Sequence, residues 1–276
     1  AAGQVHVAAP LERVARTMRH IAISGASRRL GAALAQRFAA PGTRLSLTAR
    51  SAEALTKVAA LCQVAGAEVE ILACDIRDPA SLAPALLAFD DAAPVDLIIA
   101  NAGTSSGSSL EGEPEAYGAA INQIEVNLIG AMALIGPLLP RLRGRGQGQI
   151  AVIASLAGLR GLPDSPAYSA SKAGLIAWGE ALRSAEANRG IGVTVIGPGF
   201  FESAMGNRFK GPRPFLLSLE EAAARIAAGI RARKRSVFFP WPLAFALRLL
   251  VLLPAGLSDR AVRLLRFRVA PPEGEG

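Results

Sequence analysis

From His20 onward, short apolar runs alternate with longer helical patterns, and that alternation leaves the chain few folds to choose from. The runs are Ile21–Ser24, Arg44–Thr48, Glu68–Ala73, Val95–Ala100, Gln149–Ala154 and Gly192–Ile196, with a last one at Ser236–Phe239. Helical stretches begin between them near Arg29, Ala52, Pro79, Pro114 and Tyr168. Strands that are apolar on both faces, each followed by a helix, predict a parallel sheet covered on both sides. Right-handed crossovers then give a doubly wound α/β sheet, whose ligands bind outside the carboxyl ends of the strands.

The residues at those strand ends are therefore the candidate site. The first strand runs into Ser24-Gly25-Ala26-Ser27-Arg28-Arg29-Leu30-Gly31. Gly25 permits a tight turn and Gly31 lets the helix approach the strand, so Gly25, Ser27, Arg28, Arg29, Leu30 and Gly31 form a candidate pyrophosphate cradle. The second strand ends in Ala49-Arg50, without the acid that would bind a ribose diol. Arg28 and Arg50 instead offer two guanidiniums for a phosphate, which favours the 2′-phosphate of NADP. Asp75-Ile76 ends the third strand, where Asp75 can accept from an adenine amino group, and Asn101-Ala102-Gly103 ends the fourth. Both Asp75 and Asn101 also suit simple helix capping. Asn127, in an apolar helical stretch, needs buried partners, either as a packing specifier or as a holder of ordered water.

Ser155 follows the fifth strand, and Tyr168-Ser-Ala-Ser-Lys172 opens a helix rich in small residues. Tyr168 and Lys172, four apart, share one helix face. A phenol titrates near pH ~10; an ammonium one turn away is expected to lower it toward the range useful for acid–base catalysis. The Ser155 hydroxyl can donate to a carbonyl oxygen that gains charge.

Composition narrows the classes further. A 276-residue chain that is 51% hydrophobic has enough apolar material for one core. Ten basic residues between Arg225 and Arg268 face the single acid Asp259, so that piece carries the whole formal charge of +8. The near-neutral remainder argues against nucleic-acid binding. Cys62 and Cys74 give no disulfide framework, and with His6 and His20 no metal-ligand spacing, so a reduced cytoplasmic setting and no metal are expected. Residues 1–17 lack a continuous apolar core and read as a poorly ordered extension upstream of a natural start at Met18.

Taken together, Gly25 with Gly31, Asp75, Asn101-Ala102-Gly103, Asn127, Ser155, Tyr168-x-x-x-Lys172, and Pro198-Gly199 with Ser203 resemble the short-chain dehydrogenase/reductase family, over roughly Met18 to Phe239. The resemblance implies a single Rossmann-like domain, and it implies roles. Ser155 would polarise a substrate carbonyl and Tyr168 transfer the proton, while Asn127 would anchor a relay water. Lys172 would hold the nicotinamide ribose; Pro198, Gly199 and Ser203 would secure the nicotinamide end. Arg28 with Arg50 matches the NADP-preferring subgroup. The family turn usually reads Thr-Gly-x-x-x-Gly-x-Gly; here Ser24 replaces the threonine and Arg29 the middle glycine, so altered cofactor affinity is expected. A homodimer or homotetramer is implied as well.

Beyond Pro198-Gly199, residues 200–217 carry Phe200, Phe201, Met205, Phe209 and Phe215, and in the family this segment covers the substrate, which points to an apolar pocket. Ser218 with Glu221 predicts a capping box opening a helix to Arg231. The extension 240–276 continues with an apolar helix up to Leu253 and a second, amphipathic one, Leu257–Phe267. Apolar helices beside a basic cluster suit an anionic membrane surface; a helical cap on the substrate pocket or a partner subunit is the competing expectation. The sequence thus points to an NADP(H)-dependent oxidoreductase interconverting a ketone or aldehyde with an alcohol on an apolar, lipid-like substrate, cytoplasmic or peripheral at the inner face of a membrane. The alternatives are an NADP-binding sensor and a membrane-associated scaffold without turnover.

Overall fold

The computed structural model describes residues 18–107, 113–202, 209–210, 213–263 and 268–269. The extension 1–17, Ser203 and Met205 lie outside the described residues. In chain order the elements are β1 His20–Ser24, α1 Arg29–Phe38, β2 Arg44–Ala49, α2 Ala52–Val64, β3 Glu68–Ala73, α3 Pro79–Ala92, β4 Leu97–Ala100 and α4 Tyr117–Ile124. A π-helical turn, Glu125–Ile129, leads into α5 Gly130–Ile135, α6 Leu139–Arg145, β5 Gly148–Ile153 and α7 Pro166–Ala185. The chain continues through β6 Ile191–Pro198, β7 Phe209–Lys210, α8 Leu219–Arg231, β8 Ser236–Phe239, α9 Trp241–Val251, α10 Ala255–Arg263 and β9 Arg268–Val269.

Seven strands form one parallel sheet in the order β3-β2-β1-β4-β5-β6-β8. The order reverses between β1 and β4, and a crevice opens at such a switch point. The strand alternation feeds two cores at once. Ile21, Ile23, Leu97, Ile99, Ala151 and Ile153 face α1, α2 and α8, while Ala22, Ile98, Ala100, Ile150 and Val152 face α3, α5 and α7. This is why the middle of each central strand reads as an apolar run: with both faces covered, the buried polar side chains, such as His20 and Ser24 at the two ends of β1, are ones with hydrogen-bond partners.

Local chemistry sets the element ends. Ser218 accepts from the Glu221 amide at 3.1 Å, and the Glu221 carboxylate accepts from the Ser218 amide at 2.9 Å, so the predicted capping box is present. The helix expected near Pro114 starts at Tyr117, and α7 starts two residues before Tyr168, with Pro166 in its first turn. Tyr117–Arg145 is long and apolar enough by composition to cross a membrane, yet α4 packs on α7 and α5 on α3. Buried Asp90 closes the far end of α3. Its carboxylate accepts the Val95 amide at 2.8 Å and a two-pronged Arg145 guanidinium at 2.7 and 2.9 Å. Burial raises the Asp90 pKa, but those donors outweigh it and hold the carboxyl below its ordinary value. His20 is also buried. Its Nδ1 donates to the Ala93 carbonyl at 2.6 Å, which leaves Nε2 to accept from the Ser46 hydroxyl at 2.7 Å. Burial lowers its pKa and favours this neutral form.

Candidate active site

Steric necessity shapes the turn after β1. Gly25 has φ +64, and a Cβ there would lie 2.8 Å from the Ala102 Cα; a Cβ on Gly31 would lie 2.1 Å from the Gly25 carbonyl oxygen. No L side chain fits at either position. Ser24 Oγ accepts from the Asn101 and Ala102 amides, both at 3.1 Å, and Asn101 Nδ2 donates to the carbonyls of Ser24 (3.0 Å) and Gly25 (3.2 Å). Asn101 and Ser24 therefore brace the turn against the end of β4. Arg28 stands at the N-cap of α1 and provides no side-chain cap, and the first turn of α1 contains no acid. Its amide ends are arranged for an anion from outside the chain, as a pyrophosphate would be.

Arg29 occupies φ +54, the left-handed region that favours glycine. The middle glycine that the family pattern carries is thus absent where the backbone still takes a glycine conformation, at about 1 kcal/mol for a side-chain-bearing residue. Arg28 and Arg29 line the cleft, and Arg50, exposed at the end of β2, is close enough to Asp75 to help depress its pKa. Asp75 itself is held by Arg77, whose Nη2 donates at 2.6 Å and whose amide donates at 2.9 Å. That guanidinium brings the Asp75 carboxyl to about 2. Its remaining acceptor capacity is what an adenine amino group would find. The Ile76 side chain is buried and packs under Gly130, so only its backbone can meet a cofactor.

The reactive groups come from three elements. Ser155 leaves β5 in extended conformation and caps the 3₁₀ turn Leu156–Gly158, its Oγ accepting from the Ala157 amide at 3.2 Å. Tyr168, in the first turn of α7, is hydrogen-bonded to the Ser155 side chain. Lys172 is 4% exposed; its Nζ donates to the Ile153 carbonyl at 3.0 Å and lies 5.8 Å from the centre of the Tyr168 ring. A Cβ on Gly158 would come within 2.6 Å of the Lys172 backbone, so glycine is what lets that turn sit on α7. Burial lowers the Lys172 pKa to about 8. Burial also raises the phenol of Tyr168 above its ordinary value, with the Ser155 hydrogen bond pulling the other way. This corrects the expected depression of the phenol by Lys172. Desolvation is the larger influence, and the amine is turned to the Ile153 carbonyl.

Asn127 lies in the π turn, fully buried. Its Oδ1 accepts from the Thr104 amide at 2.7 Å, and its Nδ2 donates to the Thr104 carbonyl (2.9 Å) and Ser171 Oγ (3.0 Å). Its side chain thus clamps the loop after Gly103 to α7. Two further sets of residues gave no local sequence signal. Glu115 accepts from the Ala167 amide at 3.2 Å, from Ser106 Oγ at 2.7 Å and from the buried Gln123 amide, placing a carboxylate at the N-terminus of the helix that carries Tyr168. Arg160, between Ser155 and Tyr168, donates to Ser258 Oγ at 3.0 Å and Asp259 Oδ1 at 2.5 Å, fastening α10 to the loop beside the site.

Of the expected site residues, Arg28, Arg29, Leu30, Gly31, Asn101, Ser155, Tyr168, Lys172, Pro198 and Gly199 line one cleft that opens to solvent, whereas Gly25, Ser27, Arg50, Asp75, Ile76, Ala102, Gly103 and Asn127 are not in its lining. Arg28, Gly31 and Asn101 line one end, and Ser155, Tyr168, Lys172, Pro198 and Gly199 the middle. Apolar side chains, Leu156, Leu162, Phe200, Phe201, Leu243 and Leu247, make up the rest of the wall. A glycine-walled helix start beside a serine, a phenol and an amine, at the carboxyl edge of a parallel sheet, defines the class: an oxidoreductase built to take a nicotinamide dinucleotide.

Comparison with known proteins agrees. The chain matches the short chain dehydrogenase family over residues 19–212. It is 35% identical over 245 residues to an uncharacterized oxidoreductase of Myxococcus xanthus, covering 88% of this chain and 96% of that one. It is 36% identical over 185 residues to a 3-dehydrosphinganine reductase of Arabidopsis thaliana, covering 65% of this chain and 54% of that one. Among solved structures, a short-chain dehydrogenase from Sphingobium yanoikuyae in complex with NADPH superposes with a TM-score of 0.72 at 25% identity, covering 85% of this chain and 95% of that one. The chain belongs to the short-chain dehydrogenase family and is an oxidoreductase.

Proposed function

We propose that the protein is an NADP(H)-dependent reductase and dehydrogenase that interconverts a ketone or aldehyde with an alcohol on an apolar, lipid-like substrate. The observation that carries this reading is the single cleft in which Ser155 and Tyr168 face a wall of Leu156, Leu162, Phe200, Phe201, Leu243 and Leu247. Such a wall favours an alkyl chain, at about 25 cal/mol per Å² of apolar surface removed from water. The Arabidopsis relative is named for reducing 3-dehydrosphinganine, which supports a long-chain carbonyl. Arg28 and Arg50, together with the NADPH bound in the Sphingobium structure, support NADP over NAD.

When bound, the nicotinamide supplies or accepts the hydride. In this reading Ser155 donates to the substrate oxygen and stabilises the charge that gathers there during reduction. Tyr168 delivers the proton to that oxygen, and its raised pKa keeps it protonated as the acid at neutral pH. Lys172, at about 8, is largely protonated at pH 7 and supplies positive charge beside the phenolate left behind. Asn127 holds the loop after Gly103 and α7 in register and, as the family implies, anchors a relay water. Gly25, Ser27, Arg28, Arg29, Leu30 and Gly31 would receive the pyrophosphate; Pro198, Gly199 and Ser203 would receive the nicotinamide end. The proposed setting is the cytoplasm or the inner face of a membrane, and the family resemblance implies a homodimer or homotetramer.

The test is consumption of NADPH and NADH with a panel of hydrophobic ketones, for wild type and Tyr168→Phe. The expected result is turnover that favours NADPH and falls about 10²–10⁴-fold in the variant, with NADPH binding retained. Equal inertness of the two proteins while cofactor still binds would replace the enzyme by a sensor.

A further inference from the structure

The helix that walls the catalytic cleft also presents an apolar stripe to solvent. On its inner side α9 buries Ala244 and Leu247 against Leu156, and Leu243 and Leu247 line the cleft beside Ser155 and Tyr168. On its outer side Trp241 (74% exposed), Phe245 (57%), Leu249 (46%) and, just past its end, Leu252 (80%) follow at intervals of four, four and three residues. That spacing keeps them on one face. A stripe of this size rarely stays in water without a function.

Charge selects its occupant. Arg248 is exposed at the edge of the stripe, its guanidinium 4.6 Å from the centre of the Phe238 ring, and Arg260 and Arg263 are exposed on α10, which packs on α9. The only acid from 240 to 276 before the terminal Glu273 and Glu275 is Asp259, and Arg160 already pairs with it. An apolar stripe bordered by Arg248, Arg260 and Arg263, none of which forms a salt bridge among the described residues, matches an anionic bilayer surface, with side chains entering the acyl boundary and guanidiniums at the phosphates.

We infer that α9 is a two-sided gate wall: its outer stripe docks on an anionic membrane, and its inner leucines receive a long-chain carbonyl substrate from that bilayer. This deepens the function proposed above and rests on it for the chemistry. A helix is about 10 Å across, so docking through α9 sets the catalytic cleft one helix from the lipid. The occupant is then both the partner surface and the source of the substrate.

The experiment uses the full chain and two kinds of vesicle, phosphatidylcholine alone and phosphatidylcholine with phosphatidylglycerol. Flotation and Trp241 emission, read in a Trp178→Phe background, report docking. The triple variant Trp241→Ser/Phe245→Ser/Leu249→Ser changes only the outer stripe. Expected are binding and a blue shift with the anionic vesicles only, and a loss of roughly tenfold or more in that affinity for the triple variant. Reduction of a long-chain ketone dissolved in the vesicles falls by a similar factor, while reduction of a short water-soluble ketone is unchanged. Failure of the wild type to bind anionic vesicles, or unchanged binding by the triple variant, overturns the inference. So does a triple variant that turns a dimer into a monomer without vesicle binding by the wild type, because the stripe is then an interface between copies. Failure to reduce even the short ketone, with docking intact, instead refutes the proposed enzyme and leaves the membrane contact standing.

Discussion

Along the cofactor side of the cleft the chain meets itself through backbone: the Gly25 turn touches Ala102, Gly31 touches Gly25, and the hydroxyl of Ser24 and the amide of Asn101 lock them together. Along the opposite side the contacts are leucine and phenylalanine side chains from the stretch after β5 (Leu156, Leu162), the segment after β6 (Phe200, Phe201), and α9 (Leu243, Leu247). The first wall cannot accept one extra carbon. The second can be resized by substitution without touching the backbone. A shared cofactor asks for a fixed cradle, and a varied substrate asks for a replaceable lining, so the two walls divide those tasks between them.

The sharpest way to break the comparison is at Gly31. Gly31→Ala places a carbon against a carbonyl oxygen, and a destabilisation of about 3 kcal/mol in chemical unfolding is expected, together with loss of NADPH binding. On the other wall, Leu247→Ala is expected to lose about 2 kcal/mol, the low end for a buried leucine, because its cluster is small and borders open space. Its kinetic signature is a raised KM for long-chain ketones with NADPH affinity unchanged. Equal effects of both variants on cofactor binding would erase the distinction between the walls. Smallest is Arg29→Gly, which relieves the left-handed strain but loosens the unfolded chain, so the net change is within about 1 kcal/mol. A larger loss would mean that the Arg29 side chain, rather than its backbone, holds the turn.

The parts of this molecule written in local sequence pattern were legible before the structure. Every strand of the main sheet was anticipated within a few residues, because burial on both faces gives the central strands short apolar runs and the edge strand β3 keeps a β-branched, apolar pattern between turn residues. Tyr168 and Lys172 were placed on one face by spacing alone. What escaped depends on partners far along the chain or on backbone detail. The Arg160 to Asp259 clamp spans 99 residues, and Glu115 reaches Ala167 across 52. The π turn at Asn127 leaves no mark, since the apolar period of a helix changes little over one such turn. The direction of the Tyr168 pKa was misjudged for a related reason: spacing reveals the neighbouring amine but not the depth at which both groups lie. The two faces of α9 needed coordinates too, because a segment apolar all round gives no sign of which leucines turn inward.

The most direct measurement is a crystal structure with NADP and a long-chain alcohol bound. The account predicts the alcohol oxygen at about 3 Å from both Ser155 Oγ and Tyr168 Oη, its chain lying against Leu243 and Leu247. An alcohol bound with its oxygen away from that pair, or with its chain outside the α9 wall, would contradict it.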